Sequence, residues 1–197
     1  MRSGWLAFLI LLSHGVLSSA GPPSKKEAPE LPPLNASVLE YARDHLGKKV
    51  TNGQCTSLAV EALREARAKR FPMSGTEGDF VWGRRVESFN DALPGDVLQF
   101  RDVVFKGKRA LSNYRTLTWR EDYPHHTAII VDVKEHGKVV KILHQNTGRD
   151  DKSDAEKMIV QEGTLRLDAL QPGGKIWIYR PVSVGEPSTG HDSKAFP

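Results

Sequence analysis

Cys55 is the chain's one cysteine. It lies in Gly53-Gln54-Cys55-Thr56, directly before a stretch with helical spacing. A lone cysteine has no partner for an intramolecular disulfide, so it is buried and inert, paired with another chain, or a working thiol. At a helix start, the partial positive charge of the first turn favours a thiolate. Thiols so placed have pKa values lowered from about 8.5 to roughly 3.5–7.5. The competing fate is a small buried hydrophobe. Polar Asn52, Gly53, Gln54 and Thr56 around it argue against deep burial.

A thiol nucleophile needs an imidazole as base, and that base needs an orienting acceptor. Pro124-His125-His126-Thr127-Ala128-Ile129-Ile130-Val131 offers an imidazole at the start of an apolar strand. Neighbours on a strand face opposite ways. Only one of His125 and His126 can therefore face Cys55 readily, and periodicity leaves open which. The next strand, Val139 to Asn146, puts Val140, Ile142, His144 and Asn146 on one face. Paired through a hairpin with the histidine strand, it brings an acceptor at 144 or 146 beside the imidazole. The side-chain oxygen of Asn146 could fix the tautomer, or Asn146-Thr147-Gly148 is simply a strand-ending turn. Cys55, His125, His126 and His144 are also acceptable zinc ligands. The sequence holds no His-Glu-x-x-His helix and no paired cysteines, however. Neither a metal nor another cofactor is expected.

The elements that must position these groups are legible in outline. Asn35 or Ser37 can cap a first helix with Val38, Leu39, Ala42 and Leu46 on its apolar side and Gly47 at its end. A second helix is expected over Thr56 to Lys69, where Leu58, Ala59, Ala62, Leu63 and Ala66 recur at helical spacing. Residues 70–94 read as a long irregular connection, with Phe80, Val81 and Trp82 tucked against the body. From Leu93 the pattern becomes strands. Val97 to Arg101 follows a Pro94-Gly95-Asp96 turn, and His126 to Val133 joins Lys138 to Asn146 through Glu135-His136-Gly137. Met158 to Gln161, Thr164 to Leu167 and Lys175 to Arg180 follow. Helices first and antiparallel strands after make an α+β domain.

The N-terminus has signal-peptide grammar: Arg2, then the apolar run Trp5 to Leu12, then Ser18-Ser19-Ala20 before a cut at Gly21. The apolar run falls short of the roughly 20 residues that span a bilayer. The expectation is export, secreted or periplasmic, with no stable membrane insertion after cleavage. Residues 21–34, rich in proline, read as an extended tether, residues 35–182 as the domain, and 183–197 as a disordered tail. Asn35-Ala36-Ser37 is formally a glycosylation sequon. The formal charge of +4 is carried by scattered basic residues, which gives little support to nucleic-acid binding.

Four segments in this order resemble the CHAP family, a branch of the papain-like NlpC-type cysteine amidases and peptidases. They are Gly53-Gln54-Cys55-Thr56 heading a helix, Leu93-Pro94-Gly95-Asp96-Val97-Leu98-Gln99-Phe100, His126-Thr127-Ala128-Ile129-Ile130-Val131, and Leu143-His144-Gln145-Asn146. Ile176-Trp177-Ile178-Tyr179-Arg180-Pro181 is similar to that family's last strand. The resemblance implies a papain-like fold with Cys55 as nucleophile and His126 as base. It also implies an oxyanion site near Gln54 and Cys55, and a substrate among the amide bonds of peptidoglycan. Where that family often has glutamate before Gln-Asn, this chain has His144, which moves the third role to Asn146. A non-catalytic module that binds cell-wall polymer is the alternative.

Overall fold

The computed structural model describes residues 30–73, 79–112, 114–148 and 152–186. The expected signal peptide, most of the tether and most of the tail lie outside them. In chain order the elements are α1 (Pro33–Asp44), α2 (Cys55–Glu65), β1 (Arg84–Val86), β2 (Val97–Ser112), β3 (Arg115–Lys134), β4 (Val139–His144), α3 (Asp154–Lys157), β5 (Gln161–Arg166) and β6 (Lys175–Arg180). The strands form one antiparallel sheet in the order β1-β6-β2-β3-β4-β5. This is the expected α+β architecture.

The central strands are nearly continuous apolar runs because both faces of the sheet are covered. On one face α1 and α2 pack Val38, Ala42, Leu58, Ala59, Ala62 and Leu63 against Val97, Ile129 and Leu143. On the other, Leu98, Phe100, Ile130, Ile142, Ile176 and Ile178 form a second cluster. Each fully buried aliphatic or aromatic side chain contributes about 1.5–3 kcal/mol, so the two layers fix the helix and strand positions together.

That second cluster also takes in Val103, Phe105 and Tyr123. In a regular strand Phe100 and Val103 would point to opposite faces. Asp102, at φ +54°, breaks the alternation. Beyond the bend, β2 and β3 leave the sheet as a two-stranded arm, paired from Val103↔Tyr123 to Ser112↔Arg115. The sequence reading ended the first strand at Arg101 and began the next at His126. Past its buried root the arm is exposed on both faces and gives no amphipathic signal.

Further boundaries differ from expectation: α1 ends at Asp44 rather than at Gly47, and the two strands expected at Met158 to Gln161 and Thr164 to Leu167 are one, β5. α1 starts at Pro33, inside the stretch read as tether; proline suits the first helical turn because its missing N–H has no partner there. Asn35 is not a cap. It is buried, and its amide donates to the Pro94 carbonyl at 3.0 Å and to Asp96 Oδ1 at 2.8 Å. The sequon is therefore closed to a glycan in the folded domain. α2 ends at Glu65, and Arg67 at φ +54° turns the chain away.

The Pro94-Gly95-Asp96 turn is the knot of the fold. Asp96 is fully buried and accepts the Leu93 N–H at 2.8 Å and Arg180 Nη2 at 2.9 Å. Gly95 sits at φ +85°, and a Cβ there would lie 2.1 Å from the Asn35 carbonyl oxygen. α1, the turn and β6 thus meet at one carboxylate.

Candidate active site

Cys55 is the first residue of α2 and is part-buried. Burial pushes its thiol pKa up, and this outweighs the backbone N–H groups of Thr127, Thr56 and Cys55 and the Thr127 hydroxyl, all of which pull it down. The sequence expectation of a thiolate favoured by the helix start is thereby corrected. The helix terminus does act on the sulfur, but desolvation is larger, and the resting group is a thiol.

The contact with Thr127 locates the sulfur. β4 pairs with β3 only from Ile129 onward. Thr127 lies past the end of β4, and its N–H, lying in the plane of the sheet, meets the sulfur of Cys55. Cys55 therefore stands at the edge of the sheet, against the residue that follows His126.

His126 is buried, its ring centroid 5.1 Å from Tyr123 and 6.0 Å from Phe100. Its Nε2 lies 2.9 Å from Nδ1 of His144, which is also buried. Burial, with a smaller contribution from His144, holds the His126 pKa well below the usual histidine value, so the ring is neutral near pH 7. A neutral imidazole has one donor and one acceptor nitrogen. With the shared proton on His126 Nε2, its Nδ1 is an acceptor, as a base requires. The ring of His144 stands over Gly163, where a Cβ would come within 3.0 Å of its Nε2. His125 is exposed and takes no part in this pair.

Asn146 does not reach His126. It sits at φ +57°, and its Nδ2 donates to Gln54 Oε1 at 3.0 Å. The group on His126 is His144, and the expected third role of Asn146 passes to holding Gln54. Between them in sequence, Gln145 is a residue that sequence reasoning passed over. It is fully buried; its Nε2 donates to the Gln54 carbonyl at 2.7 Å and the Val50 carbonyl at 3.2 Å, and its Oε1 accepts the Val50 N–H at 3.1 Å. A glutamine among apolar strand residues was the available signal, since a buried amide must find partners. Asn52 completes the loop, its Oδ1 accepting the Gln54 N–H at 3.0 Å and the Ser57 hydroxyl at 2.6 Å.

His144, Gln145 and Asn146 thus serve in turn the base, the loop before the nucleophile, and Gln54. Among the described residues, no three His, Cys, Asp or Glu side chains are grouped to hold a metal.

A family model described as the AIM3/BBC1 cysteine proteinase-fold domain matches residues 32–189. The chain belongs to this family. The match covers all three helices, the whole sheet and every residue of the candidate site, and it supports a papain-like fold without singling out the CHAP branch. No curated protein and no solved structure matches the chain. A cysteine proteinase fold fits a cysteine hydrolase.

Proposed function

We propose that this domain is a thiol hydrolase of amide bonds, with Cys55 as nucleophile, His126 as base and His144 as the group that orients His126. The observation that carries the reading is Cys55 at the head of α2 on a cysteine proteinase fold. The role of His126 rests on the family resemblance, with the 2.9 Å link from its Nε2 to His144 as the orienting contact. In the reaction, Nδ1 of His126 takes the proton from the Cys55 thiol as the sulfur attacks the carbonyl carbon. An S–C bond forms and the carbonyl electron pair moves to oxygen. Gln54 Nε2 and the Cys55 N–H donate to that oxyanion. Collapse breaks the C–N bond, and His126 returns the proton to the departing amine. Water then attacks the thioester, His126 accepts its proton, and the thiol is regenerated with the carboxylic acid product.

The finer reading is a secreted or periplasmic enzyme acting on peptidoglycan, at an N-acetylmuramoyl-L-alanine amide or a peptide cross-link. It rests on the order of the four segments and on the N-terminal apolar pattern. A second reading, a non-catalytic module that binds wall polymer, is favoured by one observation: burial pushes the thiol pKa up.

Mass analysis of peptidoglycan and of casein after incubation with wild type and Cys55→Ala separates these readings. The proposal expects new amine and carboxylate ends from the wild type alone, in peptidoglycan if the finer reading holds. Identical digests from the two proteins reject the hydrolase.

A further inference from the structure

We propose that the outer edge of β3 upstream of Thr127 docks an extended, acidic polypeptide as an added strand and leads it to Cys55. The inference rests on the hydrolase reading for what happens to that polypeptide, but the docking itself needs no turnover.

The first observation is an open edge. β4 accompanies β3 only from Ile129. Upstream, through the arm, β3 pairs with β2 on one side and with no strand on the other among the described residues. The equivalent edge of β2 is closed near the root of the arm. β6 pairs with β2 as far as Arg101, Phe105 bridges to Leu170, and the Gln171 N–H donates to the Val104 carbonyl at 2.8 Å. An unpaired edge presents a row of N–H and C=O groups that templates an extended chain. The last such N–H before β4 begins, that of Thr127, is the one on the Cys55 sulfur.

The second observation is charge. From Val103 to Arg120 the sequence contains Lys106, Lys108, Arg109, Arg115 and Arg120 and no carboxylate; Glu121 and Asp122 follow on β3, between this stretch and Thr127. Arg120 is neutralised by Asp122 at 2.7 Å. The other four are exposed and have no ion-pair partner among the described residues. Lys106 and Lys108 stand two residues apart on one face of the arm, on β2 across from Arg120 and Thr118 of β3 and one strand in from the open edge, so an added strand would meet them over β3 at the spacing of its own alternate side chains. Carboxylates on such a strand meet these cations. A second copy of the basic arm is repelled, and a nucleic acid neutralises the cations but has no backbone amides to pair with the edge.

The test uses the full chain carrying Cys55→Ala and a fluorescent decapeptide of alternating Glu and Thr, read by anisotropy. The expected result is saturable binding, weaker by about tenfold or more for the Gln-Thr analogue and for the Cys55→Ala chain that also carries Lys106→Glu with Lys108→Glu. The same loss is expected for a Glu-Thr peptide N-methylated at alternate residues, which keeps its charge and cannot pair with the edge. No peptide binding, unchanged binding of the N-methylated peptide, or tighter binding of oligothymidylate of equal charge overturns the proposal. Turnover of p-nitrophenyl acetate by the wild type separates the two readings. The lysine variants should leave it intact. Peptide binding without any turnover supports the docking edge and removes the hydrolase, whereas ester turnover without peptide binding does the reverse.

Discussion

At the residue scale, the opposing effects on Cys55 set its behaviour. Helix-terminal N–H groups favour the charged sulfur and burial disfavours it; burial is the larger. Iodoacetamide labelling of Cys55 should therefore have its midpoint above the ordinary thiol value of about 8.5, read by mass spectrometry across pH. A midpoint in the mildly acidic range would show that the helix start dominates after all. His126 makes a second pH prediction. Its folded pKa is depressed, so on acidification the unfolded chain takes up the proton first. Stability is thus full above about pH 6.5 and declines below it at up to about 1.4 kcal/mol per pH unit from this group, until the folded pKa is reached. Urea unfolding between pH 7 and 5 should show this slope in the wild type and a shallower one in His126→Gln. Equal slopes would mean that the ring is not buried neutral. Both residues stood out in the sequence as candidates, but the sign of the cysteine shift did not, because desolvation depends on what packs around the helix start.

At the element scale, the loop between α1 and α2 is held by one side chain from the far end of β4. Gln145 makes three hydrogen bonds to Val50 and Gln54 from a fully buried position. Gln145→Ala leaves those backbone groups unpaired and should cost about 3 kcal/mol, measured by chemical denaturation. It should also lower kcat through the misplacement of Gln54 and Cys55. A loss below about 0.5 kcal/mol would mean that the loop holds itself. The helical spacing of Leu58, Ala59, Ala62 and Leu63 and the Glu135-His136-Gly137 hairpin carried most of the element reading. The arm could not be read the same way. Only its root alternates, with Val103, Phe105, Trp119 and Tyr123 on the core side; residues 108–112 and 115–118 are exposed on both faces, and the positive φ at Asp102 hides the face switch between Phe100 and Val103. β1, only three residues long, offers too short a pattern to stand out from its loop.

Over the whole molecule, a buried polar knot ties the helices and the sheet together at one point. Asp96 links α1 through Asn35, its own turn through Leu93, and β6 through Arg180. Asp96→Ala removes one partner of a buried ion pair and should destabilise the domain by about 3–5 kcal/mol, read as a lowered midpoint of urea unfolding. A change under about 1 kcal/mol would mean that the apolar layers alone hold the helices to the sheet. The turn itself was legible from Pro94-Gly95; the burial of its aspartate was not, since sequence shows no contact between residues so far apart.

The central claim is that an activated sulfur at the sheet edge works with the His126–His144 pair. Its most direct measurement is the rate at which a peptidyl acyloxymethyl ketone alkylates Cys55, followed by intact mass in wild type, His126→Ala, His144→Ala and His125→Ala. The account predicts a single adduct on Cys55, formed about a hundredfold more slowly without His126, more slowly without His144, and at the wild-type rate without His125. An adduct forming equally fast without His126, or one that depends on His125 instead, would contradict it.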